Sequence, residues 1–208
     1  LANIPAKRRT PFPSGGDLPQ DYWHIYDPFV SLTAAAIATK TIKIAAGVCL
    51  ITERDPIVTA KEVASLDRLS EGRFLFGIGA GWNAEEMENH GTVFAERWKV
   101  LEERIEAMQA CWTQDDSEYH GKYVDFDPIW SWPKPVQKPH PPIVMGAASP
   151  WGRERVARYC DGWVPLPDQM QNIETDLADL HQRLKNHGRK PEDIEISFFW
   201  APQDADEL

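Results

Sequence analysis

Residues 42–83 read strand, turn, helix, turn, strand, loop, and no other stretch limits the possible folds as much. Ile42-Lys43-Ile44-Ala45-Ala46-Gly47-Val48-Cys49-Leu50-Ile51 is a near-continuous apolar run, the pattern of a strand covered on both faces. Asp55 is a candidate N-cap, and Pro56 stands where a helix would begin. Ala60, Val63, Leu66 and Leu69 recur at the spacing of one buried helix face, and Glu71-Gly72 stops the helix. Residues 73–78 form a second apolar strand. It breaks into Gly79-Ala80-Gly81-Trp82-Asn83, a loop whose small residues permit close backbone approach. Two apolar strands joined by a helix make a parallel βαβ unit.

The rest of the chain repeats this alternation. Residues 1–26 carry Pro5, Pro11, Pro13, Gly15, Gly16 and Pro19 and read as loop; a loop of that length is either disordered or functional. Asp27-Pro28 opens a helix with Phe29, Leu32, Ala36 and Ile37 as its apolar stripe. A helix after Asn83 carries Met87 with Glu85 and Glu86, read as solvated charges that suit the helix dipole. A longer helix over about 96–112 has Trp98, Leu101, Ile105, Met108 and Trp112 as its buried stripe. Residues 113–142 are turn-rich and dense in proline, with extended pieces around Glu118-Tyr119 and Tyr123-Val124. A helix with Val156, Ala157 and Tyr159 and a polar helix over about 168–186, with Leu177, Leu180 and Leu184 inward, separate the last strands. The strands fall at 42–51, 73–78, 143–145, 162–164 and 194–199. Alternating β and α elements imply a parallel sheet, either doubly wound or closed into a barrel, and composition does not choose between them.

Composition removes several function classes. A net charge of −10 disfavours nucleic acid and anionic membrane as partners. No apolar run approaches membrane-spanning length and no secretory leader is visible, so the expectation is a soluble cytoplasmic protein. The three cysteines, Cys49, Cys111 and Cys160, lie far apart without a CxxC, which speaks against a metal site or disulfide framework. No GxSxG, GxxxxGK[ST] or HExxH occurs, and the glycines at 77, 79 and 81 give no clean GxGxxG.

Gly47-Val48, then Glu53-Arg54-Asp55-Pro56, then the run AKEVASLDRLSEGRFLFGIGAGWN together resemble the luciferase-like oxidoreductase superfamily, closest to the branch that uses the deazaflavin coenzyme F420. The resemblance covers roughly residues 27–165. It implies a single (β/α)8 barrel domain over residues 1–208 that lacks the family's first two strands and its last. It also implies that loops following strands form the catalytic face: residues 1–26, 52–55, 79–90, 146–151, 165–168 and those after 199. The segment 113–142 follows a helix, so Trp130 and Trp132 are expected to be packing residues, and His120 and His140 are discounted.

On that basis the resemblance assigns residues. Gly47 and Val48 match the position of the family's buried non-prolyl cis peptide, whose bulge supports the flavin ring; a trans bulge in a crowded strand is the alternative. Gly79, Gly81 and Asn83 resemble the loop beside the ring, with Asn83 toward a ring carbonyl or ribityl hydroxyl and Trp82 as a wall. Some deazaflavin enzymes carry a carboxylate where Trp82 stands. Gly146, Ala147, Ala148 and Ser149 resemble the turn that receives the cofactor phosphate at a helix N-terminus, with alanine where the family more often has a second glycine. A plain strand-to-helix turn is the alternative. His24 stands in for a histidine that related enzymes place just after the second strand, or is a surface residue; His90 is open to the same two readings.

The resulting expectation is an oxidoreductase that moves a hydride between F420 and a small organic substrate, with His24, Trp82 and Asn83 nearest the chemistry. A deazaflavin moves electrons in pairs as hydride and reacts poorly with oxygen, so few protein acids or bases are obligatory. An FMN-dependent luciferase-like monooxygenase and a non-catalytic truncated barrel that binds without turnover stand as alternatives. The resemblance also implies a homodimer through the helices at 28–40 and 56–70.

Overall fold

A computed structural model of the chain describes residues 3–165 and 172–198. Leu1, the loop beyond Pro165, the expected start of the helix at 168 and everything after Phe198 lie outside the described residues. Two compact units, Leu1–Pro141 and Pro142–Leu208, make up the chain. No helix among the described residues is long and apolar enough to cross a membrane.

In the first unit α1 (Pro28–Ala38) and α2 (Pro56–Leu69) both begin at an Asp-Pro pair. The Asp27 carboxylate accepts from the amides of Phe29 and Val30, and that of Asp55 from Val58, so each cap satisfies amides that the helix leaves free. Helix α2 ends as expected: Glu71 and Gly72 take φ of 55° and 79°, and the Gly72 amide closes back on the Asp67 carbonyl at 2.9 Å.

The expected single strand over 42–51 is instead interrupted. It consists of β1 (Ile44–Ala45) and β2 (Cys49–Leu50), both parallel to β3 (Phe74–Gly79). Ala45 faces Leu75 and Cys49 faces Ile78, so the first strand takes four steps where β3 takes three. The extra residue is a bulge, and the Gly47–Val48 peptide within it is cis. The strand is also not covered on both faces. Ile44 and Ala46 are buried, whereas Lys43, Ala45 and Gly47 are exposed, because α1 packs on one face and no described element of this unit covers the other.

Strand β3 carries the core of this unit. Phe74, Phe76 and Ile78 alternate onto one buried face and meet Ala60, Val63 and Leu66 of α2 and Leu101, Ile105, Met108 and Trp112 of α4 (Arg97–Thr113). Phe29, Phe74, Phe76, Trp112 and His140 follow one another with ring centroids 5.6–6.4 Å apart. Trp98 is half-buried rather than inward, and Ile37 and Leu69, expected in buried stripes, are 61% and 51% exposed; both lie in the last turn of their helices, beyond the packed face.

The proline-rich segment is held by polar groups rather than by its tryptophans. Asp67, fully buried on α2, accepts from the amides of Val136 at 2.6 Å and Gln137 at 3.0 Å and from the Gln137 side chain at 2.7 Å. Buried Lys134 donates to the carbonyls of Cys111 and Gln114 at the end of α4 and to the Ser117 hydroxyl. These inward positions leave Trp130 and Trp132 82% and 51% exposed, contrary to the packing expectation. Before them α4 leads into an antiparallel hairpin, β4 (Ser117–His120) with β5 (Asp125–Ile129); the expected piece at Glu118-Tyr119 lies in β4, whereas Tyr123-Val124 falls in the turn and the second strand starts at Asp125.

In the second unit β6 (Ile143–Met145), β7 (Gly162–Trp163) and β8 (Glu195–Ile196) run parallel in that order. Helices α5 (Pro150–Tyr159) and α6 (Ile173–Asn186) connect them. Leu180 and Leu184 of α6 are inward as expected, but Leu177 is half-buried. An ion cluster shares that face: buried Arg153 reaches Asp176 at 2.8 Å and Asp179 at 2.6 Å. The three cysteines are buried and unpaired.

Replacing Asp67 with alanine leaves the donors of Val136 and Gln137 inside the protein without an acceptor. The expected result is a stability loss of about 3 kcal/mol or more in urea denaturation, since removing one side of a buried charged network strands the other; a loss under about 1 kcal/mol would contradict the assigned role.

Candidate active site

The candidate site of the first unit grows out of the bulge. Val48 projects into the space above Gly79: a Cβ on Gly79 would lie 2.8 Å from Val48 Cγ2. Only a residue without a side chain allows β2 and β3 to approach in this register. The chain then leaves both strands side by side. The Thr52 hydroxyl, in the short turn after β2, donates to the Ala80 carbonyl at 3.1 Å, and the Thr92 hydroxyl donates to the Thr52 carbonyl at 2.6 Å, all buried. Gly81 turns the second loop with φ of +76°, a conformation that side chains disfavour. A Cβ there would sit 3.4 Å from Glu53 Oε1, which places the Glu53 carboxyl directly under this turn.

Asn83 closes the loop and starts α3 (Ala84–Asn89). Its Oδ1 accepts from the Glu86 amide at 2.8 Å, so the carbonyl end serves as the helix cap and is not free for a ring atom. Its Nδ2 is buried without a partner among the described residues, as are Trp82 Nε1, Glu53 Oε1 and Glu86 Oε1. Donors and acceptors without partners thus meet around one turn. Such groups are costly to bury and are rare in folded proteins away from functional places.

The two glutamates expected to be solvated are not. Glu86 is 1% exposed. Glu85 is held by the N-terminal loop: its carboxylate accepts from the Arg9 amide and guanidinium at 3.0 and 2.8 Å and from the Thr10 amide at 3.3 Å. The Thr10 hydroxyl in turn accepts from the Ala84 amide at 3.2 Å. This strap brings Phe12 and Tyr22 edge-on to Trp82, with centroids 5.7 and 6.4 Å away. Trp82 is therefore packed together with the long loop rather than standing alone.

A cleft of about 330 Å³ opens beside β2, lined among others by Glu53, Arg54, Cys49 and His90. Burial pushes the Cys49 thiol up to about 12, so it lines the cleft as a neutral group. Burial, with the charge of Glu86 beside it, pushes the Glu53 carboxyl up to about 8. Arg54 is engaged elsewhere, with Asp27 at 2.9 Å and Glu62 at 2.8 Å. His90 reaches the rim of the cleft. His24 does not line it: the residue is exposed and its ring meets Trp23 edge-on at 6.3 Å. Glu53 and Glu86 were missed as site residues. For Glu53 a signal existed, because it stands in a loop that follows a strand. Glu86 carried none, since glutamates in a first helical turn are ordinarily solvated.

In the second unit β6 turns through Gly146, Ala147 and Ala148 into α5. The Ser149 hydroxyl caps this helix by accepting from the Gly152 amide at 3.1 Å. The carbonyls of the turn are occupied: Trp163 Nε1 donates to Ala147 at 2.6 Å and Arg153 to Ala148 at 2.7 Å. The alanine that replaces the family's second glycine directs its methyl at α5, where a Cβ on Gly152 would come within 2.4 Å of it. Gly152 is thus the residue that makes room for Ala147.

Replacing Gly79 with alanine forces Val48, stiff at χ1, out of its position. The expected cost is about 1–3 kcal/mol of stability in thermal or urea denaturation, as for other overpacked sites; an unchanged midpoint would show that the two strands do not meet this closely.

Comparisons with known proteins cover most of the chain. A family model described as luciferase-like monooxygenase matches residues 16–205. A Mycobacterium tuberculosis protein of unassigned function is 46% identical over 172 residues, 79% of this chain and 60% of that protein. The FMNH2-dependent dimethylsulfone monooxygenase of Pseudomonas putida is 28% identical over 84% of this chain and 48% of its own. The coenzyme F420-dependent tetrahydromethanopterin reductase of Methanopyrus kandleri superposes with a TM-score of 0.72 over 88% of this chain and 57% of its own, at 23% identity, a likeness of fold alone. The chain thus spans about half to three-fifths of the length of these relatives. Together with the parallel βα units and the glycine-rich turn after β3, these matches show that the chain belongs to the luciferase-like monooxygenase family of oxidoreductases and has the α/β barrel type of fold.

Proposed function

We propose that the protein is an oxidoreductase that transfers a hydride between the deazaflavin coenzyme F420 and a small organic substrate. The observation that carries this reading is the group of buried, unpartnered atoms at the end of β3. Trp82 Nε1 and Asn83 Nδ2 are donors, and Glu53 Oε1 and Glu86 Oε1 are carboxyl oxygens. A deazaflavin or flavin ring presents carbonyls and ring nitrogens at its edge, and these donors and acceptors fit such an edge. The shelf formed by Gly47, Val48 and Gly79 adjoins them, and Gly81 turns the loop beside it at positive φ. In the second unit the turn at Gly146, Ala147, Ala148 and Ser149, with its carbonyls already bonded, fits a phosphate at the N-terminus of α5.

When bound, the cofactor supplies the hydride chemistry; the protein orients it and excludes water. Trp82, backed by Phe12 and Tyr22, walls the site. The Methanopyrus kandleri reductase, which shares the fold, depends on F420. A second reading, reduced FMN with oxygen as co-substrate, is favoured by the dimethylsulfone monooxygenase, whose sequence identity is the higher of the two. The proposal includes a homodimer: Val30 and Ile37 on α1 and Val58 and Leu69 on α2 are 51–71% exposed. Sedimentation equilibrium should give twice the monomer mass, and a change of Val30 and Val58 to lysine should return the monomer.

Titrating the full-length protein with F420 and, separately, with FMN, while following quenching of each cofactor's fluorescence, tests the central reading. Tight binding of F420 with no uptake of FMN is expected. Preference for FMN, with oxygen consumed on reduction, would replace the hydride-transfer reading by a monooxygenase, and uptake of neither would remove both.

A further inference from the structure

We propose that Glu53 is the proton donor of this site and that the substrate is a carbonyl or imine compound whose oxygen or nitrogen it protonates. The inference rests on the hydride-transfer reading above and names the acid that reading lacks, since the indole N–H of Trp82 donates hydrogen bonds but is too weak an acid to protonate a substrate. Three observations converge on Glu53. It ends the turn after β2 and lines the cleft. Its Oε1 is buried under Gly81 without a partner. Glu86, 1% exposed and itself carrying an unpartnered oxygen, and Asn83, 1% exposed with an unpartnered amide nitrogen, face the same turn.

The charged groups around Glu53 keep its proton in place. Glu86 approaches from α3 and disfavours a second negative charge. The cations are directed elsewhere: Arg54 bonds Asp27 and Glu62, and Arg104 of α4 donates to the carbonyls of Ile51 at 2.7 Å and Arg54 at 3.0 Å. Asp55 is taken by its helix cap, and His90 lies exposed at the rim. As the substrate carbon accepts the hydride, with its electron pair, from the reduced deazaflavin, the substrate heteroatom becomes basic. The carboxyl O–H of Glu53 then breaks and a new O–H or N–H forms on the substrate. Glu53 is left as carboxylate, and solvent water in the cleft restores its proton.

The test compares the parent with Glu53→Gln and Glu86→Gln. A carboxyl whose folded value lies near 8 against 4.5 unfolded binds its proton more tightly in the folded state. Parent stability relative to Glu53→Gln should therefore fall as pH rises from about 4.5 through about 8 and level off above, read as the difference in unfolding midpoint across pH. Glu86→Gln removes the neighbouring charge and should move that fall to lower pH, a readout that remains if Glu53→Gln does not fold. In turnover with reduced F420 and a carbonyl substrate, Glu53→Gln should lose about 100-fold in kcat and the alkaline limb of the pH profile. A stability difference independent of pH, or an unchanged kcat and pH profile, would overturn the proposal. Failure of the parent to bind cofactor would remove the donor role together with the reading it rests on, and would be distinguished because the stability comparison needs no cofactor.

Discussion

The seating of Val48 in the space of an absent side chain at Gly79 governs the first unit. Parallel strands otherwise keep one register along their length, and here the register changes by one residue between Ala45 and Cys49. The change lets the turn after β2 and the loop after β3 leave the sheet in contact, pinned by Thr52 on Ala80 and Thr92 on Thr52. Without it the Glu53 carboxyl would not lie beneath Gly81, and the cleft would lose its acidic wall. The bulge is a small irregularity with a large effect, because the side chains of a strand alternate and a one-residue slip reverses which of them face a given side.

Polar groups divide into two populations. Those that hold the fold are saturated: Asp67 accepts three bonds, Lys134 donates three, and Arg73 ties the last turns of α1 and α2 through the carbonyls of Ala36, Thr39, Ile42 and Ser70. Those at Glu53, Trp82, Asn83 and Glu86 are buried yet incomplete. The contrast is physical rather than statistical. Leaving such groups incomplete costs free energy, and a ligand that completes them offsets that cost.

Much of the first unit was legible because local chemistry enforces it. Asp27-Pro28 and Asp55-Pro56 start helices through capping and the fixed φ of proline, whatever packs on them later, and Glu71-Gly72 ends α2 through its positive φ. The glycines of the β3 loop were expected to mark a close backbone turn, and Gly81 makes that turn with φ of +76°. The failures lie where an exposed-looking residue was decided by a distant segment. Glu86 reads as a solvated helix-start charge and is buried by the loops around it. Glu85 is held by Arg9, seventy-six residues away in sequence. Trp130 and Trp132 read as packing residues, but Lys134 and Asp67 anchor that segment and turn both indoles outward. The apolar run over 42–51 promised one continuous strand because apolar content does not encode register.

The amino-acid sequence by itself determined the order of elements, their caps and breaks, and the family, since these follow from residues close together along the chain and from the long run between Gly47 and Asn83. Only the tertiary structure decided which charges are buried, which aromatic rings form the wall, and that Glu53 meets Glu86 under Gly81. Those outcomes depend on the approach of separate segments. Desolvation and close contact act between residues that the sequence keeps far apart, so neither can be read before the chain has folded.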